Sequence, residues 1–402
     1  MVDRGGNEGI IRFMRYWTKM DLPRRIRMNM NFYMPTKVIM SEGCIVKHAQ
    51  LMKEYGEKAL IVAGANSARL SGALQDVTDA LQSQGIEYEL YDRIKSNPTV
   101  ASVYEGAEIA REKGAKFIIG IGGGSPMDAA KAIALLAVQE LSEEELFSAK
   151  YSNQVLPIIL IPTTAGTGSE VTPYSILTND IKQTKTSISS PFLFPRIAFL
   201  DARYTKSLSM TTTINTALDA LSHSIEGMLT VRAGYASNAL AMESIQKISQ
   251  CLGSLSPSEV VDQDNKLTID IREKLLYGSM LAGVVIAHTG TTAVHSMGYC
   301  LTYFKNVDHG RANGLLLPSF LRFVSKTDND SVKKVLLAMG VGTLDELEAI
   351  FLRLLGDREQ ITTKELERFV SIAIHAKNVV NSKVQPTKED IENIYTRSLT
   401  VM

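Results

Sequence analysis

The sequence has little cysteine and no excess of charge of either sign. Its three cysteines, Cys44, Cys251 and Cys300, are scattered and odd in number, so they form neither a disulfide framework nor a Cys-x-x-Cys zinc or redox motif. Lysine plus arginine and aspartate plus glutamate both number 43, which gives a formal net charge of zero. This balance argues against a chain built to bind nucleic acid or an anionic membrane.

Long apolar runs are also missing. No run approaches the roughly 18 residues of a transmembrane helix, and the N-terminus lacks the apolar segment of a secretory signal. The arginines of residues 1–28 are accompanied by Asp3, Glu8 and Asp21, which disfavours a transit peptide. We therefore expect residues 1–28 to be an irregular extension and the protein to be cytoplasmic.

Strand and helix signals alternate in the first half of the chain, and helix signals dominate the second. Buried strands are predicted at 58–64, 86–91, 116–121, 155–161 and 196–200, with helices at 103–113 and 126–138. Apolar residues then recur with helical period at 212–229, 236–252, 266–288, 364–380 and 387–399. At about 150 residues per domain, 402 residues suggest two domains. The patterns predict a parallel-sheet α/β domain at 29–204 and a helical domain at 205–402.

A glycine-rich loop, Gly122-Gly-Gly-Ser-Pro-Met-Asp128, follows the predicted strand at 116–121. Its three glycines allow a tight turn and close approach of a ligand. Ser125 suits the helix N-cap, Pro126 the first helical position and Asp128 the third. Such a helix start favours an anion, for example a diphosphate. A tight turn without a ligand explains this loop alone equally well.

A second loop, Pro162-Thr-Thr-Ala-Gly-Thr-Gly-Ser-Glu170, follows the strand at 155–161. Its hydroxyl residues stand at the carboxyl end of a strand, where open α/β sheets bind ligands. A polar turn is the alternative. Together the two loops favour a nucleotide site, although neither matches the Gly-x-Gly-x-x-Gly fingerprint.

Four residues suggest a metal site. Asp219 and His223 are four apart on a predicted helix, so their side chains share one face. His295 and His309 follow later in the chain. One carboxylate and three neutral imidazoles suit divalent iron or zinc. A single histidine in such a segment is more often a buried core residue than a metal ligand. Sequence spacing alone also does not show that residues 219–223 lie near residues 295–309 in the fold.

Together these motifs resemble the iron-containing (group III) alcohol dehydrogenases, which are metal-dependent, nicotinamide-linked oxidoreductases. The resemblance runs from Asn31 to the C-terminus. Besides the two loops, it rests on Phe32–Pro35, Ser96–Pro98, Leu218–Glu226, Val294-His295, Asp308–Gly310 and Glu389–Tyr395. The 14-residue step from His295 to His309 equals the family's step between its last two metal ligands.

The resemblance implies a Rossmann-like N-terminal domain, a helical C-terminal domain and an active site in the cleft between them. It assigns the metal ligands to Asp219, His223, His295 and His309. It assigns the nicotinamide cofactor to Asn97, Gly122, Gly123, Gly124, Ser125, Asp128, Thr163, Thr164, Thr167, Ser169 and Lys185. It also implies a homo-oligomer of two or more subunits.

Two departures from the family pattern matter. Many NAD-preferring members carry an aspartate where this chain has Gly64, and nearby Ser67 and Arg69 could bind a 2′-phosphate. This resembles the NADP-using members, although Gly64 as a mere turn glycine would leave NAD possible. Tyr299 replaces a histidine to which a proton-transfer role is often given. The alternatives for this catalytic-site residue are that Tyr299 relays the proton, that water does, or that Tyr299 only shapes the pocket. Since tyrosine is a poor base at neutral pH, we predict that Tyr299 shapes the pocket.

The predicted function is a metal-dependent alcohol dehydrogenase or aldehyde reductase that transfers hydride between NADP(H) and a primary alcohol or aldehyde, with Fe²⁺ or Zn²⁺. Met297, Tyr303 and Phe304 near the candidate ligands suggest an apolar pocket. The first alternative is a metal lyase of the dehydroquinate-synthase type, but residues 288–313 offer only Lys305 and Arg311 as cations besides histidines. The second is a non-catalytic nucleotide-binding scaffold.

Overall fold

The computed structural model describes residues 30–148, 151–179, 184–257 and 267–402, and residues 1–28 lie outside this part. Tyr33–Met402 form one compact unit. The predicted division at 204/205 therefore stays a prediction.

A six-stranded sheet organises the first half of this unit. Its strands are β1 (Lys37–Met40), β2 (Lys58–Ala63), β3 (Glu87–Tyr91), β4 (Phe117–Gly122), β5 (Ile158–Pro162) and, after a separate hairpin of β6 (Tyr174–Asn179) and β7 (Thr184–Ser189), β8 (Ile197–Leu200). The order is β1-β8-β5-β4-β2-β3, and every neighbouring pair is parallel. β4, β5 and β8 are buried throughout, as expected for a parallel sheet covered on both faces.

Helices cover both faces of the sheet. They are α1 (Cys44–Lys47), α2 (Gln50–Lys53), α3 (Ser67–Leu70), α4 (Ala73–Ser83), α5 (Val100–Glu112), α6 (Gly124–Leu136) and α7 (Glu143–Ser148). Because successive strand side chains point to opposite faces, Leu60 and Ile118 join the core beneath α5 and α6, whereas Ile61 and Ile119 join the core beneath α4.

The second half is helical around one contiguous apolar core. Its helices are α8 (Met210–Met228), α9 (Tyr235–Leu252), α10 (Ile269–Thr289), α11 (Ala293–Lys305), α12 (His309–Ser325), α13 (Asn329–Met339), α14 (Leu344–Leu355), α15 (Thr363–Ala373), α16 (Lys377–Asn381) and α17 (Lys388–Ser398). The two-residue strands β9 (Gln360–Ile361) and β10 (Thr400–Val401) pair in parallel. None of the helices in the described ranges is long and apolar enough to cross a membrane.

This architecture confirms the predicted fold class, an α/β part followed by an all-helical part. Two local predictions were wrong, and β1 and the β6–β7 hairpin were not predicted. The helix predicted at 364–380 is two helices, because Ala376 adopts an extended conformation between them. The strand predicted at 155–161 begins only at Ile158. The β6–β7 hairpin was missed, since it lies outside the six-stranded sheet and β6 alternates between buried and half-buried residues instead of forming a continuous apolar run.

Candidate metal and cofactor site

Three helices bring the predicted metal ligands together. Asp219 and His223 lie one turn apart on α8, His295 lies near the start of α11, and His309 is the first residue of α12. The start of α12 packs closely on α8, because a Cβ on Gly310 would collide with the carbonyl of Asn215. Glycine at this position therefore allows His309 to approach Asp219.

The side-chain atoms converge on one carboxylate oxygen. The Nε2 atoms of His223, His295 and His309 each lie 3.9 Å from Asp219 Oδ1. One ligand atom each from Asp219, His295 and His309 lies within 4.8 Å of the others. His223 stacks on His295 with ring centroids 4.7 Å apart. One carboxylate with imidazole nitrogens is a donor set that divalent iron and zinc accept, so the residues present fit such an ion.

Burial keeps two of these histidines neutral. It lowers the pKa of His223 and of His309, so both present a ring lone pair at neutral pH. Burial acts the same way on His295, but the nearby Glu226 carboxylate outweighs it and raises the pKa of His295. A neutral imidazole is the form that binds a metal.

Glu226 orients His295 and was not assigned a role from the sequence. Its Oε1 lies 2.5 Å from His295 Nδ1, and its Oε2 accepts hydrogen bonds from the backbone N–H and hydroxyl of Thr292. The carboxylate holds the proton on Nδ1 and leaves Nε2 directed at Asp219. The available signal was spacing, since Glu226 lies seven residues after Asp219 on the same helix.

Asn313 was also missed. Its Nδ2 donates to Asp219 Oδ1 at 3.0 Å and lies 3.2 Å from the Nε2 atoms of both His295 and His309. Three lone-pair-bearing atoms therefore surround a single amide nitrogen. The signal was again helical spacing, because Asn313 lies four residues after His309.

Tyr299 packs against the same group. Its ring stacks on His309 with centroids 5.2 Å apart and planes at 15°. Burial, with Asp219 as the next cause, raises the pKa of Tyr299, so the hydroxyl stays protonated at neutral pH. Two of the other residues predicted to line a pocket lie elsewhere: Met297 is fully buried in the helical core, and Phe304 stacks on Phe369.

The glycine loop turns into α6 earlier than predicted. Gly123 is the N-cap and α6 begins at Gly124, so Ser125, Pro126 and Asp128 all lie further along the helix than expected. The reason is Gly122, whose φ of +147° is open to glycine and whose Cβ would lie 2.7 Å from Pro126 Cγ. The Ser125 hydroxyl instead accepts the N–H of Asn97 at 3.2 Å.

The second loop contacts both the glycine loop and the helical part. The Thr163 N–H donates to the Gly122 carbonyl at 2.9 Å. A Cβ on Gly123 would lie 3.3 Å from the Thr164 side chain, and one on Gly124 would lie 2.7 Å from Thr167 Cγ2. The loop thus covers the start of α6.

The other side of this loop rests on the helices. A Cβ on Gly166 would lie 2.7 Å from the Cβ of Thr216, one turn before Asp219 on α8. A Cβ on Gly283 of α10 would lie 2.6 Å from the Gly168 carbonyl oxygen. The loop therefore brings the sheet edge next to the candidate metal ligands.

A buried lysine holds the two loops together and was missed in the sequence. Lys131 Nζ donates to Ser169 Oγ at 2.8 Å, Thr172 Oγ1 at 3.2 Å and the Tyr174 carbonyl at 2.6 Å. Ser169 in turn donates to Asp128 Oδ1 at 2.6 Å. Burial lowers the pKa of Lys131 to about 8. Asp128 and Ser169 thus use their side chains to join α6 to the second loop.

Lys185 lies on β7, close enough for its charge to interact with Asp219 of the candidate metal site and with Asp128 of the glycine loop. Burial lowers its pKa to about 8, against the opposing effect of the Asp219 and Asp128 carboxylates. Gly64 directly follows β2, and a Cβ there would be 3.6 Å from Ser67 Oγ. Arg69 is paired with Asp92, its Nη2 lying 3.0 Å from Asp92 Oδ2.

Comparison with known proteins agrees with this geometry. The profile described as iron-containing alcohol dehydrogenase matches residues 35–202, and that of the Fe-containing alcohol dehydrogenase family, C-terminal, matches residues 213–399. The chain is 33% identical over 289 residues to lactaldehyde reductase of Escherichia coli K12, covering 71% of this chain and 73% of that protein. It is 29% identical over 310 residues to an NADPH-dependent butanol dehydrogenase of Clostridium saccharobutylicum, covering 76% and 77%.

A solved structure extends the similarity to the fold. The iron-containing alcohol dehydrogenase of Thermotoga maritima superposes with a TM-score of 0.84 at 38% identity, covering 92% of this chain and 99% of that one. The protein is an oxidoreductase that acts on the CH–OH group of its substrate. By sequence and by fold, this chain belongs to the iron-containing alcohol dehydrogenase family.

Proposed function

We propose that the protein transfers hydride between NADP(H) and a primary alcohol or aldehyde at a divalent iron held by Asp219, His223, His295 and His309. The observation that carries the proposal is the convergence of three imidazole Nε2 atoms, each 3.9 Å from Asp219 Oδ1. This group adjoins the loop that covers the start of α6. Metal ligands and cofactor loop therefore meet at one edge of the sheet.

When bound, the metal ion supplies a Lewis acid for the substrate oxygen, and the nicotinamide supplies or accepts the hydride. The chain's own residues prepare this site. Asp219 provides the negative charge that a cation needs, and His223 and His309 are kept neutral by burial. Glu226 holds the His295 proton on Nδ1. Tyr299 stacks on His309 and shapes the space beside it.

For the cofactor, we assign the diphosphate to the start of α6, where glycines lie against the second loop. The thirteen-residue helix directs its N-terminus at this place, which favours an anion. NADP is preferred to NAD in this proposal because Gly64 provides no carboxylate to repel a 2′-phosphate. The NADPH dependence stated for the Clostridium saccharobutylicum relative supports the same choice.

Iron is preferred to zinc because the matched family is named for iron. We also propose a homo-oligomer of two or more subunits, to be checked by light scattering, and the cytoplasmic location stays a prediction. The lyase alternative is not favoured, since the relatives are alcohol dehydrogenases and an aldehyde reductase. The Tyr299 ring stacked on His309 gives the candidate site an aromatic wall, which favours primary alcohols and aldehydes over highly charged substrates.

The test is anaerobic aldehyde reduction by the full chain reconstituted with Fe²⁺ or Zn²⁺, next to a metal-free sample. Oxidation of NADPH and of NADH is followed separately by absorbance over a panel of aldehydes. We expect metal-dependent turnover with a higher kcat/KM for NADPH. Equal or better kcat/KM with NADH would remove the cofactor preference. Bound metal and nucleotide without any turnover would favour the scaffold alternative.

A further inference from the structure

An ion pair lies at the carboxyl edge of the sheet, beside the corner formed by Gly64. Arg69 Nη2 lies 3.0 Å from Asp92 Oδ2. Arg69 belongs to α3, which follows β2, and Asp92 directly follows β3. Because β2 and β3 are parallel, with Val62 opposite Tyr91, both strands deliver their following residues to this same edge.

The segment after β3 closes over the end of β2. The Ile94 N–H donates to the Ala63 carbonyl at 3.2 Å, and a Cβ on Gly64 would lie 3.2 Å from the Ile94 carbonyl oxygen. The same Cβ would lie 3.9 Å from Pro126 Cγ, in the first turn of α6. The corner therefore adjoins the start of α6. The proposed diphosphate position at the start of α6 therefore leaves this corner, with its ion pair, as the neighbouring site for the adenosine.

The Arg69–Asp92 ion pair can open at little cost, so that each side chain can bind a ligand instead. The side chains of Arg69 and Asp92 are 56% and 36% exposed, and exposed ion pairs of this kind contribute little to stability. A guanidinium forms bidentate hydrogen bonds with a carboxylate or a phosphate, and a phosphate carries about −1.5 to −2 charges against one on a carboxylate. A phosphate can therefore take Arg69 from Asp92 at little cost to the fold. A ribose hydroxyl is too weak an acceptor to do so, but it can donate to the carboxylate.

We propose that Arg69 and Asp92 together set the choice between the two nicotinamide nucleotides. Arg69 leaves Asp92 to bind the 2′-phosphate of NADP(H), and Asp92 accepts a hydrogen bond from the 2′-hydroxyl of NAD(H). The inference rests on the proposed dehydrogenase function and adds a carboxylate to a corner where Gly64 alone predicts none. The enzyme then binds both nucleotides, and the charge balance of this pair sets their ratio.

The experiment measures the Kd of NADPH and of NADH for the metal-loaded full chain by nucleotide fluorescence. Displacement of the bound nucleotide by 2′,5′-ADP and by 5′-AMP measures binding at the same corner by ligands that lack the nicotinamide. Asp92→Asn frees Arg69 and should shift the affinity ratio toward NADPH by about tenfold. Arg69→Gln should weaken NADPH by about tenfold and leave NADH within about threefold.

Glu105→Gln is the matched control. It also removes one negative charge and breaks a neighbouring exposed pair, Arg93 with Glu105 at 2.5 Å, so the affinity ratio should stay unchanged. If neither Asp92→Asn nor Arg69→Gln moves the ratio, or if Glu105→Gln moves it equally, the inference is overturned even in an active dehydrogenase. If the affinity ratio of 2′,5′-ADP to 5′-AMP shifts as expected in the variants but no aldehyde is reduced, the inference stands and the proposed function fails. A chain that binds neither nucleotide overturns both.

Discussion

The Glu226 carboxylate and the His295 imidazole form a buried pair, with Oε1 2.5 Å from Nδ1. Both side chains are almost completely enclosed. The pair joins α8, which carries two of the candidate ligands, to α11, which carries a third. It therefore fixes the ring orientation of His295.

Replacing this carboxylate should weaken metal binding. In Glu226→Gln a neutral amide replaces the carboxylate that accepts the hydrogen bond from His295 Nδ1. The lone pair on His295 Nε2 then becomes less basic, and the ring is held less firmly in its orientation. We expect metal affinity to fall by about 10- to 100-fold, measured as Fe²⁺ or Zn²⁺ retained against a competing chelator. Glu243→Gln is the control, because Glu243 pairs with Lys247 on the partly exposed face of α9. Equal retention in both variants would contradict the assignment.

Asn313 should couple metal binding to stability. Its Nδ2 donates to Asp219 Oδ1 at 3.0 Å, so Asn313→Asp places a second buried carboxyl group beside the first. Like charges at this distance destabilise the metal-free protein, whereas a cation is attracted to both. We expect the metal-free Tm to fall by about 5 °C and the rise in Tm on adding metal to exceed that of the unchanged chain. Calorimetry with chelator and with saturating metal checks both, and an equal fall under the two conditions would be evidence against the site.

Lys131 should affect the cofactor and not the metal. Lys131→Met removes the donor to Ser169, Thr172 and Tyr174 and leaves Asp128 without its nearest buried cation. The second loop then loses its fixed position against α6, and we expect the Kd of NADPH to rise by about tenfold. Metal content should remain unchanged, since the candidate ligands lie on α8, α11 and α12. Lys113→Met, which removes an exposed pair with Glu89, should alter neither.

Local sequence signals were enough to predict much of this molecule. Continuous apolar runs predicted β2, β4, β5 and β8, because parallel strands are buried on both faces, whereas β3 was predicted from alternation and β1 was not predicted. The four-residue spacing of Asp219 and His223 predicted a shared helix face, and motif resemblance supplied His295 and His309. The start of α6 was predicted two residues late, because the φ of Gly122 is not readable from composition.

The remaining contacts join residues that are far apart in the chain. Glu226 and His295 are 69 residues apart, and Lys131 reaches acceptors 38 to 43 residues away. Nothing in the local sequence around Asp92 indicates that it meets Arg69. Such pairs depend on which strands and helices become neighbours, which is a property of the tertiary fold and not of any single segment.

Tyr299 provides the sharpest test of the mechanism. Its ring stacks on His309, and burial together with the Asp219 carboxylate raises the pKa of its hydroxyl. A group that stays protonated at neutral pH is a poor base, so Tyr299→Phe, which keeps the ring, should leave kcat within about threefold. Tyr299→Ala should lower kcat/KM more strongly, because it removes the surface against which His309 packs.

The opposite result would change the assignment of Tyr299. General acid–base catalysis contributes about 10²- to 10⁴-fold to a rate. A loss of kcat of that size in Tyr299→Phe, with metal content and NADPH affinity unchanged, would show that the hydroxyl moves a proton during turnover. The solvent isotope effect on kcat separates the two cases further, since only a hydroxyl in the proton path makes that effect depend on residue 299.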